Sequence, residues 1–436
     1  MKIAYSTLIL FIVAIAASIA GDAPDAKAIP VFARKYNTTC FTCHTTPPLL
    51  NDFGLRFQAN GYELPGTLEK FAQADQPIFL IGMVAQPMFQ FSRMQNNLRD
   101  STGTLPSATT STSFSGVEVG LFVSAALGSH FSFYTGLPID YFSGAQAQIN
   151  VETANLIYTD ALNDGTGSLN FRLGEFRFLI PYQHPVLLAN PNIDPLIYTY
   201  DPFAKAANGS VLTKANTLSF VDPNFGFSAF GMIPGIGEGL RYDVGFSGGT
   251  NSDIDLKTSH AFFGALNQTV YVNNAPLRFG AFYYGGSQLI TNTNPVDTVG
   301  GLSPPQWTNH STRIGINLEC YDPWTKRLDF YSQYLTGKDD NVDTVGTGYS
   351  ETGGFVGVNV IVFPEKFYVY GRYDILNIKE TNDNTNQIDM GFQYHLLPNV
   401  FVTAVYTITH ETVMTAGVKT VDQTSTSAGI GIRFGF

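Results

Sequence analysis

Arg313-Ile314-Gly315-Ile316-Asn317-Leu318-Glu319-Cys320-Tyr321 alternates without a slip. In an extended chain Arg313, Gly315, Asn317 and Glu319 share one face, and Ile314, Ile316, Leu318 and Cys320 share the other. A strand with charge on one side and aliphatic side chains on the other fits a wall with water inside and lipid outside. The same period recurs in Leu240–Ser247, where Leu240, Tyr242, Val244 and Phe246 alternate with Arg241, Asp243, Gly245 and Ser247. It recurs again in Thr424–Phe436, where Ala428, Ile430, Ile432, Phe434 and Phe436 oppose Ser427, Gly429, Gly431, Arg433 and Gly435.

Working outward from these segments, sixteen alternating stretches of about 10 residues fit between Gln76 and Phe436. Their centres lie near Val84, Leu121, Gly136, Thr153, Leu173, Ser228, Val244 and Phe263, then Phe282, Asn317, Tyr331, Val358, Tyr370, Met390, Ala404 and Ile430. Short links (Leu127–His130, Pro234–Gly239, Pro364–Lys366, Leu396–Asn399) alternate with long ones (Gln95–Ser113, Ile180–Leu218, Ser287–His310, Gly337–Glu351, Glu411–Gln423). Short turns on one rim and long loops on the other characterise outer-membrane barrels, and an even strand count returns both barrel ends to the short-turn, periplasmic side. The expected fold is therefore all-β, a sixteen-stranded antiparallel transmembrane barrel of the porin type over residues 76–436 in the cell outer membrane. A soluble sandwich or propeller is the competing fold; it gives no reason for loops that alternate in length, and no internal repeat suggests blades.

Composition agrees. Of 436 residues only 14% are charged, against about 25% in ordinary soluble chains. Glycine (42 residues) and aromatics (14%) are abundant, yet mean hydropathy is only +0.03. A net charge of −11 without Lys/Arg runs argues against nucleic acid. Three cysteines cannot build a disulfide scaffold. Past the N-terminus no apolar run is long enough for a spanning helix. Met1–Ala20 has Lys2, the apolar run Leu8–Ala20 and small residues, the pattern of a secretory signal with a cut after Ala20 or Ala23. The alternative, a membrane anchor, would want a longer run and stop-transfer charges.

Cys40-Phe41-Thr42-Cys43-His44 is a C-x-x-C-H sequence. Two thiols three positions apart can add to the two vinyl groups of one haem, and the adjacent imidazole can then bind its iron. A redox C-x-x-C pair would want a thioredoxin-like βαβ context, and half a zinc site would want a second Cys/His pair at suitable spacing; neither is present. The reading is one covalent haem c on Cys40 and Cys43, with His44 as axial ligand. Residues 45–77 hold no Met and no His, so a sixth ligand from this chain must come from elsewhere in it. Met88 shares the polar parity of Gln86 and Gln90 and is the nearest lumen-facing thioether, the candidate distal ligand; His395 shares lumen parity at a periplasmic turn.

The flanks add specificity. Ile29-Pro30-Val31-Phe32-Ala33-Arg34 precedes the motif, and Leu50-Asn51-Asp52-Phe53-Gly54-Leu55-Arg56-Phe57 follows it, ending at Gly61-Tyr62. Over these roughly 35 residues, Ile29 to Tyr62, the chain resembles the N-terminal monohaem segment of the fused cytochrome–porin family, the outer-membrane iron oxidases of iron-oxidising bacteria. Leu50–Tyr62 reads as a short amphipathic helix, with Phe53 and Phe57 on one side and Gly61 closing it. The resemblance implies a mainly helical c-type cytochrome segment, residues 24–75, plugging the barrel lumen. It also implies an Fe(II):cytochrome c oxidoreductase, in which extracellular Fe(II) is oxidised at the haem and electrons leave to a periplasmic cytochrome or other carrier. By the same resemblance, the terminal Phe436 looks like an assembly signal.

Outer-sphere transfer needs no acid, base or nucleophile, and no such constellation stands out. The lumen-parity charges Arg241, Asp243, Arg278, Arg313, Glu319, Arg372, Asp374, Asp389 and Arg433 read as wall pairs that hold the plug, with ion guidance or haem-propionate binding as the alternative. The acidic stretch Lys338-Asp339-Asp340-Asn341-Val342-Asp343 could attract Fe(II), and Cys320 faces lipid. Three alternatives stay open: a diffusion or uptake porin with a structural cytochrome plug, a conduit with a donor or acceptor other than iron, and a barrel with a Cys40–Cys43 disulfide.

Overall fold

The computed structural model describes residues 38–46, 49–60, 62, 78–99, 103–127, 130–140, 148–149, 151, 153–178, 194–199, 220–235, 239–249, 259–291, 306–322, 324–325, 327–342, 348–397, 399–415 and 418–435. The expected signal peptide, Gly61 and Phe436 lie outside the described residues.

The chain closes into one antiparallel barrel in which every strand pairs with its sequence neighbours, and the last strand pairs with the first. The strands are β1 (Ile78–Asn96), β2 (Thr109–Leu127), β3 (Phe131–Asp140), β4 in two pieces (Gln148–Ile149 and Thr153–Tyr158), β5 (Asn170–Phe176), β6 (Asn224–Ile233), β7 (Gly239–Ser247) and β8 (His260–Val272). They continue with β9 (Ala275–Thr291), β10 (Gln306–Tyr321), β11 (Leu328–Asp339), β12 (Tyr349–Phe363), β13 (Phe367–Ile378), β14 (Asp383–Leu397), β15 (Val400–Thr415) and β16 (Val418–Gly435). Both pieces of β4 pair with β3, so they make one crossing and the wall has sixteen strands. Each of the sixteen centres read from the sequence falls inside its strand.

The barrel is inside-out relative to a soluble protein. Ile314, Ile316 and Leu318 are exposed, while Arg313, Asn317 and Glu319 are buried. On β7, Val244 and Phe246 face out and Arg241 and Asp243 face in. Apolar side chains facing out around a closed sheet require lipid for a solvent, and closure leaves no unpaired edge within it. The chain is an outer-membrane barrel.

Two details differ from the sequence reading. The last long link, expected over Glu411–Gln423, is largely strand, because the β15–β16 ladder runs up to Thr415↔Val418. The apolar face stops there, but Thr412, Thr420 and Val421 still favour an extended backbone, so pairing continues above the membrane. Second, one connection on the periplasmic rim, Thr159–Leu169 between β4 and β5, is not short. Asp160 folds it by accepting from the Asp164 and Gly165 amides, and it serves a docking role described below. On the same rim Asn273–Asn274 is a tight turn, both residues with positive φ.

Candidate functional site: the C-x-x-C-H turn at the periplasmic mouth

Cys40–Thr42 forms a single 3-10 turn, and His44 starts a small ribbon whose strands are His44–Thr46 and Leu49–Leu50. Helix α1 (Asp52–Ala59) follows, shorter at both ends than the Leu50–Tyr62 expected. Asn51 sets its start: the side-chain oxygen accepts from the Gly54 amide at 2.9 Å, the cap that stops the helix from running back. The same side chain donates to the carbonyls of Phe41 (3.2 Å) and Thr42 (3.0 Å), and the Asn51 backbone N–H donates to Cys43 (2.9 Å). Gly54 then lets the helix lie directly on the turn, since a Cβ there would collide with the Cys43 carbonyl oxygen. The Leu-Asn-x-Phe-Gly sequence is thus a clamp that fixes the two cysteines relative to the helix. At the far end Asn60 caps α1 and Tyr62 takes positive φ (65°), so the chain turns at Tyr62.

The clamp is seated on the wall. Asp52 pairs with Arg278 of β9 at 2.5 Å and accepts from Tyr271 of β8 at 2.9 Å. Arg278 also pairs with Glu319 of β10. Thr45, next to His44, shares a 2.6 Å hydrogen bond with the Tyr321 hydroxyl. Gln58 accepts from Arg241 at 3.4 Å. Asn60 is buried against Gly167 of the long β4–β5 connection, where φ is +65° and a side chain would strike it. Tyr62 stacks on Tyr134 of β3 (5.2 Å between centroids) and meets the buried Phe57 edge-on; Phe53 is exposed. Most of these wall partners sit within a few residues of the short-turn ends of their strands. The described part of the 24–75 segment therefore lies across the periplasmic mouth of the lumen.

Neither cysteine is in a disulfide, and burial pushes Cys40 and Cys43 up to about 11, with Arg433 pulling Cys40 partly back. They are held as neutral thiols on one turn with an imidazole next in sequence, a donor set that fits a covalently attached haem. The ring of Phe41 lies on the β13–β15 wall, 5.0 Å from the His395 ring and 6.2 Å from Tyr368. His395 is only 4% exposed, and neither of its ring nitrogens has a hydrogen-bond partner among the described residues. On the same face of β14, the Gln393 amide is buried with nitrogen and oxygen both unpaired. Buried polar groups are normally satisfied, so water inside the lumen is the ordinary partner for both. Gln393 was not singled out from the sequence; its lumen parity, two positions before His395, was the available signal.

The remaining candidates separate. Met88 keeps lumen parity, opposite Gly431 of β16, and its sulfur rests 3.1 Å from where a Cβ on Gly429 would stand. The lumen charges form pairs: Arg172 with Asp243 (2.5 Å), Arg313 with Asp339 (2.7 Å) and Glu351, and Arg372 with Asp374 and Asp389 (2.7 Å each). Arg433 lies over Phe401. In the acidic stretch Asp339 turns inward to Arg313 and Asp340 pairs with Lys338 at 2.5 Å, so two of its three carboxylates already have a cation. Asp343 lies outside the described residues. Cys320 has the outward parity of Ile316 and Leu318.

A second feature fills the extracellular half. The chain between β5 and β6 sends Phe178, a one-turn helix α2 (Leu196–Thr199) and Phe220 into the lumen. Phe178 packs on Phe263 (4.4 Å), Phe220 on Phe282 (5.3 Å) and Tyr198 on Phe355 (6.0 Å). This cluster covers the β5–β13 side of the wall. On the other side, Ser425 and Ser427 of β16 and Ser92 of β1 are half-buried and Gln90 is exposed.

No protein-family model matches the chain, and no curated protein matches it. Among solved structures it is similar to the anion-selective porin from Comamonas acidovorans, with 14% identity, 83% of this chain and 100% of that chain covered, and a TM-score of 0.51. It is also similar to the outer membrane channel DcaP of Acinetobacter baumannii, with 8% identity, 82% and 97% covered, and a TM-score of 0.50. At such identities the likeness is one of fold.

Proposed function

We propose that the protein is an outer-membrane electron conduit: Cys40, Cys43 and His44 would hold one c-type haem, which would supply the one-electron chemistry between extracellular Fe(II) and a periplasmic carrier. The observation that carries this is the clamped C-x-x-C-H turn seated across the periplasmic mouth, with neither cysteine in a disulfide and an imidazole next in sequence. Neither lipid nor an empty pore carries electrons, whereas a redox centre fixed in the mouth gives them a resting place beside the periplasm. The haem supplies one-electron redox chemistry; the protein binds and orients it and restricts water through the Asn51 clamp and the Tyr368 and Phe401 rings. Iron as donor rests on the resemblance of residues 29–62 to cytochrome–porins.

The test is direct: purified protein in detergent, oxidised and then mixed with Fe(II), should show the haem absorbance shift to the reduced form. A spectrum that stays oxidised removes iron as donor. A second reading, a solute channel with a structural cytochrome plug, is favoured by the likeness to porins. It predicts haem that Fe(II) does not reduce, together with solute flux through the barrel.

A further inference from the structure

We infer that the upper part of β2, Thr109–Phe114, is a strand-addition site, where an extended, uncharged segment of another polypeptide pairs with the wall above the outer leaflet. The inference is independent of the haem reading. β2 is 19 residues long, but its two ladders differ in length. With β1 it pairs from Ile78↔Ala126 up to Met94↔Thr109, whereas with β3 it stops at Val119↔Ile139. The backbone of Thr109–Glu118 therefore has a strand on one side and, among the described residues, none on the other. Ile139↔Ile149 and Asp140↔Gln148 are the last described pairs of the β3–β4 hairpin, level with the top of the β2–β3 ladder. Every residue from Thr109 to Phe114 is exposed, so both faces of this stretch stand clear. A bare edge is normally guarded by a charge, a proline or a bulge. Thr109-Thr110-Ser111-Thr112-Ser113-Phe114 has no charge and no proline, and its register with β1 runs unbroken from Met88↔Ser115 to Met94↔Thr109. It is also held in place: Ser111 shares a 2.6 Å hydrogen bond with Ser92, and the hairpin above is tied by Gln95 to the Pro106 carbonyl (2.8 Å) and by Asn97 to Asp422 and Thr424 of β16 (3.1 and 3.0 Å).

The faces say what fits. Thr110, Thr112 and Phe114 share one face, and Thr109, Ser111 and Ser113 the other, so an added strand meets hydroxyls and one ring and no ion. Main-chain pairing supplies the attraction, and an uncharged, β-branched segment matches the row. A charged segment would lose water there without gaining a counter-ion. The added strand would continue the β2–β3 ladder upward from Val119. A second copy in the same membrane does not fit. Both barrels stand the same way up with strands tilted about 35–45° to the axis, so two β2 edges brought face to face cross instead of running alongside.

The experiment uses full-length protein in detergent and a fluorescent probe peptide, Thr-Val-Thr-Val-Thr-Val with a two-lysine tail for solubility, read by anisotropy. Saturable binding is expected, with a β-type amide band from isotope-labelled probe carbonyls in infrared difference spectra. The same peptide N-methylated at alternate residues keeps its side chains but loses a row of donors, and should bind more weakly by about tenfold or more. Thr110→Lys/Thr112→Lys should weaken binding to a similar degree, and Val418→Lys, at an exposed position of β16, should not. Heat-modifiable gel mobility checks that each variant barrel is folded, and the N-methyl comparison needs only the wild type. An absence of saturable binding overturns the inference, as when a segment of this chain already covers the edge. Binding that survives N-methylation, which is side-chain adhesion, overturns it too, and so does binding indifferent to the two lysines. A wild-type dimer that the two lysines dissociate would assign the edge to a second copy and overturn it as well.

Discussion

The lumen is narrowed at two levels by opposite physics. At the periplasmic mouth the plug is held by polar contacts: Asp52 to Arg278 and Tyr271, Thr45 to Tyr321, Gln58 to Arg241. In the extracellular half the described part of the inward loop is held by ring packing around Phe263, Phe282 and Tyr284, with polar ties from the Leu196 N–H to Asp374 at 3.0 Å and from the Tyr198 hydroxyl to Gln333. A polar clamp gives orientation; an apolar cluster gives bulk and excludes water. The difference puts geometric control at the end with the cysteines, and filling at the end without them.

Three substitutions test that division. Phe282→Ala removes a ring that is 2% exposed and should cost about 3–5 kcal/mol; denaturant unfolding in micelles should show the loss, while haem content stays at the wild-type level. Haem loss in that variant would mean that the two levels are one unit. Arg278→Ala leaves Glu319 buried without its cation and should cost on the order of 3 kcal/mol. Its signature should be earlier protease cleavage between Cys43 and Tyr62 and a larger single-channel conductance, because Asp52 loses its anchor too. An unchanged conductance would show that the plug does not depend on this pair. Gly54→Ala should cost about 2 kcal/mol through overpacking against the Cys43 carbonyl. It should lower haem incorporation in the membrane fraction without lowering barrel yield, and normal incorporation would remove the clamp from the account.

The wall was legible because alternation is a local signal. Arg313 through Cys320 names its own inner and outer faces, and the sixteen centres follow from the same rule. Lumen parity likewise located Arg241, Arg313 and Arg372 correctly, but not their partners. Arg278 meets Asp52, 226 residues earlier in the chain, and no periodicity encodes that. The inward loop was read only as the long link Ile180–Leu218, since Phe178, Tyr198 and Phe220 carry no repeat that would announce a cluster. The link over Glu411–Gln423 was misread because the apolar face ends before the ladder does. At the site, the cysteine spacing carried the haem reading from sequence alone, and Asn51 and Gly54 were quoted as flank residues without their role as a clamp. His395 stood out only by parity; its orphaned nitrogens and the neighbouring Gln393 needed the barrel to be closed around them.

The claim beneath all of this is that a porphyrin is bonded to the turn that closes the barrel's periplasmic mouth. The intact mass of the purified mature chain, taken beside a Cys40→Ser/Cys43→Ser variant, tests it most directly. The account predicts that the native chain exceeds its sequence mass by one haem and that the variant does not. A native chain at its bare sequence mass, or two hydrogens lighter from a Cys40–Cys43 disulfide, would contradict it.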